Sequence, residues 1–441
     1  MTLAFRERTD VTSWGRVIRR PQTVAEPVFS SELKTWAASD GGPRLAAGLR
    51  RSYGDTNLFS DGRMILTPLL DRMISFDPAS GLLRAEAGLS LDDLLRVVAP
   101  LGWFVPVTPG TRRVTLGGAV ANDVHGKNHS RAGTFGRHVQ ALTLLRSDRG
   151  VVALSRDREP ELFAATVGGL GLTGIILDVT LQLSAIASTS LDVETFPLGN
   201  LDDFFALNAE SLALCEQTVA WVDCTQRGAK AGMGVYTRAN WAKHGALTAH
   251  SSGAKTVPLE TPGFLINPLS LALFNTAYRT AQLLKPRRAQ AHYSSFFHPL
   301  DSIEEWNKLY GAAGFYQYQL VVPFADGRTV LGEVLDIIGR SGDGSALMVL
   351  KTFGDLPAEG LLSFPRPGYT LALDFKNRGQ PMLDLLGRLD SVVREAGGTL
   401  YPAKDGRLPR AMFEAGYPQF ERFLTFRDPA CGSDFLTRMS T

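Results

Sequence analysis

The sequence predicts an α+β protein with two domains. Its 441 residues exceed what a single core usually organises, and 44% apolar with 20% charged residues is the balance of a folded globular chain. Residues 44–184 contain short strand-like segments between glycine turns, whereas residues 189–398 alternate amphipathic helices with strands. We therefore place the first domain at residues 1–188 and the second at residues 189–398, with residues 399–441 returning to the first domain.

Two segments of the first domain have clear strand patterns. In "GIILDVTLQLS" the residues at 177, 179, 181 and 183 are apolar and those between them are polar, which is the two-residue period of a half-buried strand. The segment "VQALTLLRSDRGVVALS" predicts two strands joined by a turn at 148–150. These segments predict an antiparallel sheet.

A helix is predicted directly after Ser90. The Ser90 hydroxyl can cap the first turn, and Asp93 occupies the third helical position, as in a capping box. Pro100 and Gly102 mark the end of the helix. The predicted buried stripe consists of Leu94, Leu95, Val97 and Val98.

The second domain repeats a helix followed by a strand. The segment "RTVLGEVLDIIGR" has helical periodicity and precedes the strand-like "ALMVLKTFG", and "PMLDLLGRLDSVVREAGG" has the same periodicity and stops at its two glycines. The predicted buried positions are Leu331, Val334, Leu335 and Ile338 in the first helix, and Met382, Leu385, Leu389, Val392 and Ala396 in the second.

Residues 264–290, "FLINPLSLALFNTAYRTAQLLKPRRAQ", are apolar with a basic end. Two interpretations remain open: a buried helix with a solvated cationic tail, or an interfacial helix beside a lipid.

Charge and cysteine content exclude several classes of protein. The formal charge is only +2, from 46 basic and 44 acidic residues, so we expect no nucleic acid partner and any anionic ligand must be held locally. The three cysteines have no metal-ligand spacing and indicate reduced thiols in the cytoplasm. The N-terminus lacks the apolar core of a signal peptide, and no apolar run reaches the roughly 18 residues of a membrane span.

Three glycine-rich loops stand out, at residues 48–55, 109–136 and 166–175. Each alone is compatible with tight turns, but three in one domain favour a dinucleotide site, because glycine lets backbone N–H groups approach a pyrophosphate closely. The "GGLG" of the third loop is followed by a strand, which disfavours a nicotinamide-binding Rossmann domain. His125 and His129 lack the glutamate of the H-E-x-x-H motif, so no metal site is predicted.

Several segments together resemble a known family, the bacterial decaprenylphosphoryl-β-D-ribose 2′-oxidases and related oxidases of the vanillyl-alcohol oxidase class. The resemblance runs in order from about Trp14 to Asp434 and implies a two-domain FAD-binding fold of that class with an antiparallel-sheet substrate domain. The segments that carry it are "GLRRSYGD", "VPVTPGTRRVTLGGAVANDVHGKNHSRAGTFG", "LFAATVGGLGLTGII", "FFHPLDSIEEWNKLYGAAGFYQYQLVVP" and "LYPAKDGR".

The resemblance implies non-covalently bound FAD in the first domain, with His125 against the flavin. By match to the family's motifs, the implied cofactor-binding residues are Arg51, Ser52, Tyr53, Gly54, Asp55, Pro109, Gly110, Thr111, Thr115, Gly117, Gly118, Asn122, Val124, His125, Gly171, Thr173, Ile175 and Tyr401.

The implied reaction is oxidation of the 2-hydroxyl of a polyprenylphosphoryl pentose, by similarity ribose, to a keto sugar with hydride transfer to flavin N5. Such a reaction requires a group that takes or orients the hydroxyl proton. Lys404 matches the family's active-site lysine, with Tyr401 and Tyr53 as possible partners. The family also implies a separate NAD(P)H-dependent short-chain reductase that completes an epimerisation to arabinose, within arabinan and cell-wall biosynthesis.

Strand parity supplies an independent prediction for the substrate site. In "GFYQYQLVV" one face carries Gln317 and Gln319, and in "GYTLALDF" one face carries Thr370, Ala372 and Asp374. These faces either roof a cavity over the flavin or lie open to water. The predicted substrate-binding residues are Lys127, Gln317, Gln319, Lys351, Thr370, Ala372 and Lys404.

Two positions depart from the family, and two other functions stay open. Ala372 stands where mycobacterial members have a cysteine, which predicts loss of covalent inhibitor capture but not of catalysis, and Arg50 replaces a glycine. Residues 264–290 resemble the general bacterial relatives more than the mycobacterial members, which leaves the lipid and the sugar open. One alternative is an FAD-dependent oxidase of a free sugar, sugar alcohol or aldonolactone. Another is a flavin- or lipid-carrier-binding subunit without turnover. Peripheral contact with the inner face of the membrane is a further hypothesis, based on residues 264–290.

Overall fold

The computed structural model describes residues 3–39, 42–251 and 253–440, so the extreme ends of the predicted first domain and C-terminal segment fall outside it. The first domain contains a five-stranded antiparallel sheet. Its central strand is Ile175–Gln182, which pairs with a neighbouring strand on each edge and has both faces largely buried. In spatial order the strands are Met73–Asp77, Leu82–Glu86, Ile175–Gln182, Val139–Arg146 and Gly150–Ser155.

A second, four-stranded sheet and several short helices complete this domain. Two of the strand pairs in this sheet are parallel and one is antiparallel. The strands in spatial order are Arg6–Arg8, Gln22–Ala25, Arg63–Leu66 and Arg44–Ala47. The helices are Ser30–Ser39, Leu91–Val98, Leu116–Ala121, His129–Ala132 and Pro160–Thr166.

The predicted strands and capped helix of this domain are confirmed, with one error in the helix. The Ser90 hydroxyl accepts a hydrogen bond from the Asp93 N–H at 3.0 Å and donates one to its carboxylate at 2.6 Å. Val97, predicted to be buried, is 49% exposed. The reason is helical geometry: Leu91, Leu94, Leu95 and Val98 follow the i, i+3, i+4, i+7 pattern of one face, and Val97 lies off it.

The second domain is built on an eight-stranded antiparallel sheet. One face packs against the helices Leu201–Leu214, Gly327–Ser341 and Gln380–Glu395 to form the largest apolar core, and the other face turns toward the first domain. In spatial order the strands are Arg288–His292, Ser190–Leu198, Gly234–Trp241, Gln217–Val222, Met348–Phe353, Gly368–Lys376, Phe315–Val322 and Thr399–Leu400.

Both predicted helix and strand pairs of this domain are confirmed. The apolar face of Gly327–Ser341 is buried as expected, and in Gln380–Glu395 the positions Met382, Leu385 and Leu389 are buried with Val392 and Ala396 partly buried on the same core. Gly397 follows with φ 69°, the left-handed conformation that glycine adopts after a helix.

The apolar segment 264–290 forms the helix Pro268–Leu283 and then the edge strand Arg288–His292. Asn267 caps this helix through hydrogen bonds from the N–H groups of Leu269 and Ser270. Only Leu271 and Asn275 are buried in it, so the interpretation as a buried helix is wrong. Its basic end is exposed, as expected of the cationic tail, and continues as a strand that pairs with Ser190–Leu198.

The C-terminal segment touches both domains. Thr399–Leu400 completes the eight-stranded sheet, and the aromatic residues of the following helices join its core. Asp434 then accepts hydrogen bonds from the N–H and hydroxyl of Ser60 in the first domain, both at 2.7 Å. The remaining helices are Tyr293–Phe297, Arg410–Gly416, Phe420–Leu424 and Asp434–Ser440, and two short strand pairs are Trp103–Phe104 with Ser184–Ala185 and Lys255–Thr256 with Ile303–Glu304.

All three cysteines are buried and unpaired within the described part of the chain. No helix in residues 3–39, 42–251 or 253–440 is long and apolar enough to cross a membrane.

Candidate active site

A cavity of about 900 Å³ lies between the two domains. The three glycine-rich loops of the first domain form one wall, and the free face of the eight-stranded sheet forms the other. Its volume is at the upper end of the range of about 300–1,000 Å³ that ligand sites occupy. The cavity is therefore large enough to serve as a joint site for a cofactor and a substrate.

Close packing of the glycine loops shapes the first wall. A Cβ atom on Gly48 would lie 2.1 Å from the Thr115 hydroxyl, and one on Gly117 would lie 2.9 Å from the Ala87 Cβ. Thr115 in turn accepts a hydrogen bond from the Gly118 N–H at 3.1 Å and caps the short helix Leu116–Ala121. Larger residues at 48 or 117 would push these loops apart and open the wall.

Several polar groups on this wall fit a polar ligand such as FAD. The Thr56 hydroxyl and both side-chain polar atoms of Asn57 are buried at the cavity and lack a hydrogen-bond partner among the described residues. Buried polar groups are normally paired, so these atoms indicate a ligand that pairs them. Nearby, the Arg51 guanidinium lies 4.0 Å from the centre of the Trp14 ring and donates to the Arg113 carbonyl at 3.2 Å.

Most of the predicted cofactor residues lie around this cavity. Those that line it are Arg51, Ser52, Tyr53, Pro109, Gly110, Thr111, Thr115, Gly117, Gly118, Asn122, Val124, His125, Gly171 and Tyr401.

Gly54 and Asp55 do not line the cavity. A Cβ on Gly54 would lie 2.4 Å from the Gly406 nitrogen, so this glycine allows the first loop to pack on the backbone beside Lys404. The Asp55 carboxylate accepts two hydrogen bonds from Arg438, at 2.7 and 2.9 Å, and holds the C-terminal helix. Both residues support the site without facing it.

Thr173 and Ile175 are also placed away from the cavity. The Thr173 hydroxyl bonds the Thr166 hydroxyl at 3.0 Å, and its carbonyl accepts from Arg146 at 2.9 Å. Ile175 is fully buried in a small apolar core with Leu177. The third loop reaches the cavity at Leu170, Gly171, Gly174 and Ile176 instead.

Lys404 lies on the sheet side of the cavity against Tyr53. Its Nζ is 4.2 Å from the centre of the Tyr53 ring, and the Tyr53 N–H donates to the Ala403 carbonyl at 2.9 Å. Burial lowers the pKa of Lys404 to about 8, and the negative charge of Asp374 opposes that shift. Its Nζ has no hydrogen-bond partner within the described ranges, so it is free to contact a ligand.

Asp374 is the residue of this site that sequence analysis did not select. It lies opposite Gln317 on the neighbouring strand, whose side-chain amide donates to Oδ1 at 2.5 Å. The second carboxylate oxygen is buried and has no partner among the described residues. Burial raises the pKa of Asp374 to about 7, against the lowering effects of Gln317 and Lys404. The parity that selected Ala372 also placed Asp374 on the cavity face, and that signal would have found it.

Tyr401 forms part of the wall. Its hydroxyl donates to the Asn122 carbonyl at 2.7 Å, and its ring stacks on Phe364 with the ring centres 4.7 Å apart. Burial raises the pKa of Tyr401 well above its usual range. Because the Tyr401 hydroxyl proton is held in a hydrogen bond to a carbonyl, Tyr401 is suited to contact a ligand and not to exchange protons with it.

His125 is fixed by residues of the second domain. Gln319 Nε2 lies 3.0 Å from its Nε2, and Lys351 Nζ lies 3.3 Å from its Nδ1. Burial, together with Lys351, lowers the pKa of His125 well below its usual value, so the imidazole is neutral. Thr370 was predicted to bind substrate but lies behind Gln319. Its hydroxyl accepts a hydrogen bond from the Gln319 side-chain amide at 3.2 Å and donates one to the Leu320 carbonyl at 2.8 Å.

Lys127, Lys351 and Lys404 form a cluster of three lysines along the cavity. Lys127 donates to the Phe296 carbonyl, with Nζ 4.3 Å from the Phe296 ring centre, and burial lowers its pKa to about 7. Burial and the charges of Lys127 and Lys404 lower the pKa of Lys351 to about 7. Such a cluster of partly desolvated cations is suited to an anionic ligand, which would restore their charge.

The two histidines of the second glycine loop have separate environments. His129 accepts from the Gly354 N–H at 3.2 Å, and burial lowers its pKa to about 4. Within the residues that the structure describes, no group of three His, Cys, Asp or Glu side chains is arranged to hold a metal ion.

Comparison with known proteins identifies the family. A family model described as an FAD binding domain matches residues 19–155, which include two of the three glycine loops. The decaprenylphosphoryl-β-D-ribose oxidase of Mycolicibacterium smegmatis is 36% identical over 97% of this chain and 96% of its own length. The chain belongs to the decaprenylphosphoryl-ribose oxidase family. This oxidase is thus an FAD-binding oxidoreductase of the vanillyl-alcohol oxidase type, as predicted.

More distant relatives match this oxidase over smaller parts. A protein from the mprA 5′ region of Streptomyces coelicolor is 34% identical over 79% of this chain and 98% of its own length. L-gulonolactone oxidase 2 of Arabidopsis thaliana is 27% identical over 42% of this chain and 33% of its own length. Arg50 of this oxidase has φ 53°, a left-handed conformation that glycine adopts more readily than residues with a side chain.

Proposed function

We propose that this oxidase oxidises the 2-hydroxyl of a polyprenylphosphoryl ribose. The supporting observation is the cluster of Lys127, Lys351 and Lys404 beside the predicted sugar-binding face. A neutral sugar or lactone has no negative charge that could pair with these lysines, whereas a phosphodiester has one. The name of the Mycolicibacterium smegmatis relative agrees with a substrate of that chemistry.

FAD, when bound, supplies the acceptor for the hydride that leaves C2 of the sugar. The residues proposed to hold it are those of the glycine loops together with Thr56 and Asn57, whose polar atoms are unpaired. We propose non-covalent binding, because both ring nitrogens of His125 already face Gln319 and Lys351. Acid precipitation of the protein should release all flavin to the supernatant, whereas a yellow pellet would show a covalent bond.

Lys404 and Asp374 are proposed to accept, in turn, the proton of the 2-hydroxyl. As the C2–H bond breaks and hydride leaves, the O–H bond also breaks, its electrons form the ketone, and the proton passes to Lys404. A neutral lysine can accept this proton, and burial lowers the pKa of Lys404, which raises the fraction of Lys404 that is neutral. Asp374 lies close enough to affect that pKa, and its free Oδ2 is placed to receive the proton in turn.

The product can be identified directly. Purified protein is incubated with polyprenylphosphoryl ribose in air, the mixture is reduced with borodeuteride, and the sugar is analysed by mass spectrometry. Oxidation at C2 predicts deuterium at C2 and a mixture of ribo and arabino epimers. Deuterium at another carbon, or none, contradicts the proposed position of oxidation.

An aldonolactone oxidase is the second candidate, because part of the chain matches L-gulonolactone oxidase 2. Activity on L-gulonolactone without activity on the phosphoryl sugar would favour it.

Two further features of the proposal concern partners. A keto sugar made here would need an NAD(P)H-dependent reductase to reach arabinose, so we propose a separate short-chain reductase as the next enzyme. We also propose contact with the membrane surface through the helix Pro268–Leu283, where Leu269 and Leu273 are 79% and 70% exposed. Lys285 and Arg287 follow this helix, and their charge suits anionic lipids.

A further inference from the structure

The cavity continues past the lysine cluster as an apolar channel. Its floor is the free face of the eight-stranded sheet, and its cover is the helix Pro268–Leu283. The rings of Trp221 on the sheet and Tyr278 on the helix lie 4.8 Å apart. We call this the sheet–helix channel; its lining includes Val193, Val219, Trp221, Val235, Phe274 and Tyr278.

The strand order fixes the length of the channel. From the strand that carries Lys351, the sheet passes through three further strands before the edge strand Arg288–His292. Neighbouring strands lie about 4.8 Å apart, so these four steps cover roughly 19 Å. That distance accommodates several isoprene units in an extended conformation.

The lining is chemically suited to a hydrocarbon. Among the described residues that line the channel, none is charged between Lys127 at its inner end and Lys285 at its outer end. The indole N–H of Trp221 donates to the Ala346 carbonyl at 3.0 Å and needs no further partner. The hydroxyls of Thr195 and Thr237 also line this stretch, but they are too few to replace the hydration of a sugar or nucleotide, so burying such a group here costs free energy.

The channel opens beside the exposed apolar end of the helix. Gln282, Lys285 and Ala289 line its outer end, and the adjacent Leu284 is 80% exposed. A ligand in the channel would therefore be anionic at the lysine cluster, apolar across the sheet and free to continue outward at the mouth.

We infer that the sheet–helix channel binds the polyprenyl chain of the substrate, with its phosphate at the lysine cluster. This inference rests on the proposed function and adds the binding site for the lipid. It predicts that recognition extends to the isoprene units nearest the phosphate and that longer chains leave through the mouth.

Kinetics on substrates of different chain length test the inference. Val219→Trp and Val235→Trp narrow the channel, and Val97→Trp, on an exposed helix position of the first domain, is the control. We expect KM for decaprenylphosphoryl ribose to rise at least about tenfold in the channel variants, the equivalent of about 1.4 kcal/mol. With an isoprenyl (five-carbon) phosphoryl ribose, KM should stay near the wild-type value. Bound flavin content verifies folding.

Equal effects on both substrates, or no effect on either, would overturn the channel assignment while leaving oxidation of the sugar intact. A second measurement does not depend on turnover. A farnesyl phosphate with a benzophenone at its far end should label peptides from residues 190–241 or 268–291. Labelling confined to other peptides would overturn the inference, whether or not the protein oxidises ribose.

Discussion

Lys404 and Asp374 have shifted pKa values because they are buried beside each other. Burial lowers the pKa of Lys404 and raises the pKa of Asp374, so loss of water favours the neutral form of each side chain. The opposite charge of the neighbouring group reduces each of these shifts.

Lys404→Ala should lower the rate of flavin reduction by roughly 10²- to 10⁴-fold, the usual contribution of a positioned proton acceptor, with FAD still bound. Stopped-flow absorbance of the flavin measures this rate, and Lys308→Ala, at a partly exposed lysine paired with Glu305, is the control.

An unchanged rate in Lys404→Ala with full flavin content would remove this lysine from proton transfer. Loss of flavin from the variant would instead assign Lys404 to cofactor binding.

The lysine cluster predicts how binding depends on pH. Lys127 and Lys351 have pKa values of about 7, so they are charged below pH 7 and lose their charge above it. Asp374, with a pKa of about 7, gains negative charge over the same range. Both changes weaken binding of an anion as the pH rises, and we expect affinity to fall roughly tenfold between about pH 6 and pH 9.

Farnesylphosphoryl 2-deoxyribose is a suitable probe, because its phosphodiester keeps one charge throughout and it has no 2-hydroxyl to oxidise. Calorimetric titration gives its Kd at each pH. Lys351→Met should flatten the profile, and affinity that rises with pH in the wild-type protein would contradict an anion site.

Residue types were easier to predict than their orientations. Parity on two strands correctly predicted that Gln317, Gln319 and Ala372 share the cavity face. Thr370 has the same parity, yet it is covered by Gln319, and this depends on how neighbouring side chains pack. Sequence alone does not show which member of a face reaches the ligand.

At the scale of elements, a close glycine contact joins the first glycine-rich loop to the segment that carries Lys404. Gly54 meets the backbone at Gly406, and a Cβ there would require the Lys404 segment to move. Gly54→Ala should destabilise the protein by roughly 1–3 kcal/mol, as overpacking does, and lower the rate of flavin reduction. Gly387→Ala is the matched control: this glycine lies within the helix Gln380–Glu395 with open space around it.

Gly387→Ala should stabilise the protein by about 1 kcal/mol, since alanine favours the helix. Thermal unfolding of both variants measures the difference. Equal Tm values for the two would show that the contact at Gly54 contributes nothing to stability.

Elements with a strong period were predictable, and those defined by distant contacts were not. The helix Gly327–Ser341 and the strand Ile175–Gln182 follow from their own apolar pattern. The edge strand Arg288–His292 has no such pattern and forms because Ser190–Leu198 offers a free edge. The role of Asp55 likewise depends on Arg438, which lies far along the chain.

At the scale of the whole molecule, one surface combines exposed leucines, basic residues and the mouth of the cavity. The triple variant Leu269→Glu, Leu273→Glu, Leu284→Glu should abolish co-sedimentation with vesicles of mixed phosphatidylcholine and phosphatidylglycerol, because it replaces apolar area by negative charge. Leu214→Glu, at a leucine that is 60% exposed at the end of the helix Leu201–Leu214, is the control. Wild-type protein that does not sediment with these vesicles would contradict membrane contact.

The two domains form this site jointly, with the glycine-rich loops and Lys127 on one wall and Lys351 and Asp374 on the other. The most direct test of this joint site is the identity of the sugar that reduces the bound flavin without oxygen. Polyprenylphosphoryl ribose should bleach the visible absorbance of the oxidised flavin, while free ribose and L-gulonolactone at equal concentration leave it unchanged. Bleaching by the free sugars with none by the phosphoryl sugar would contradict the assignment.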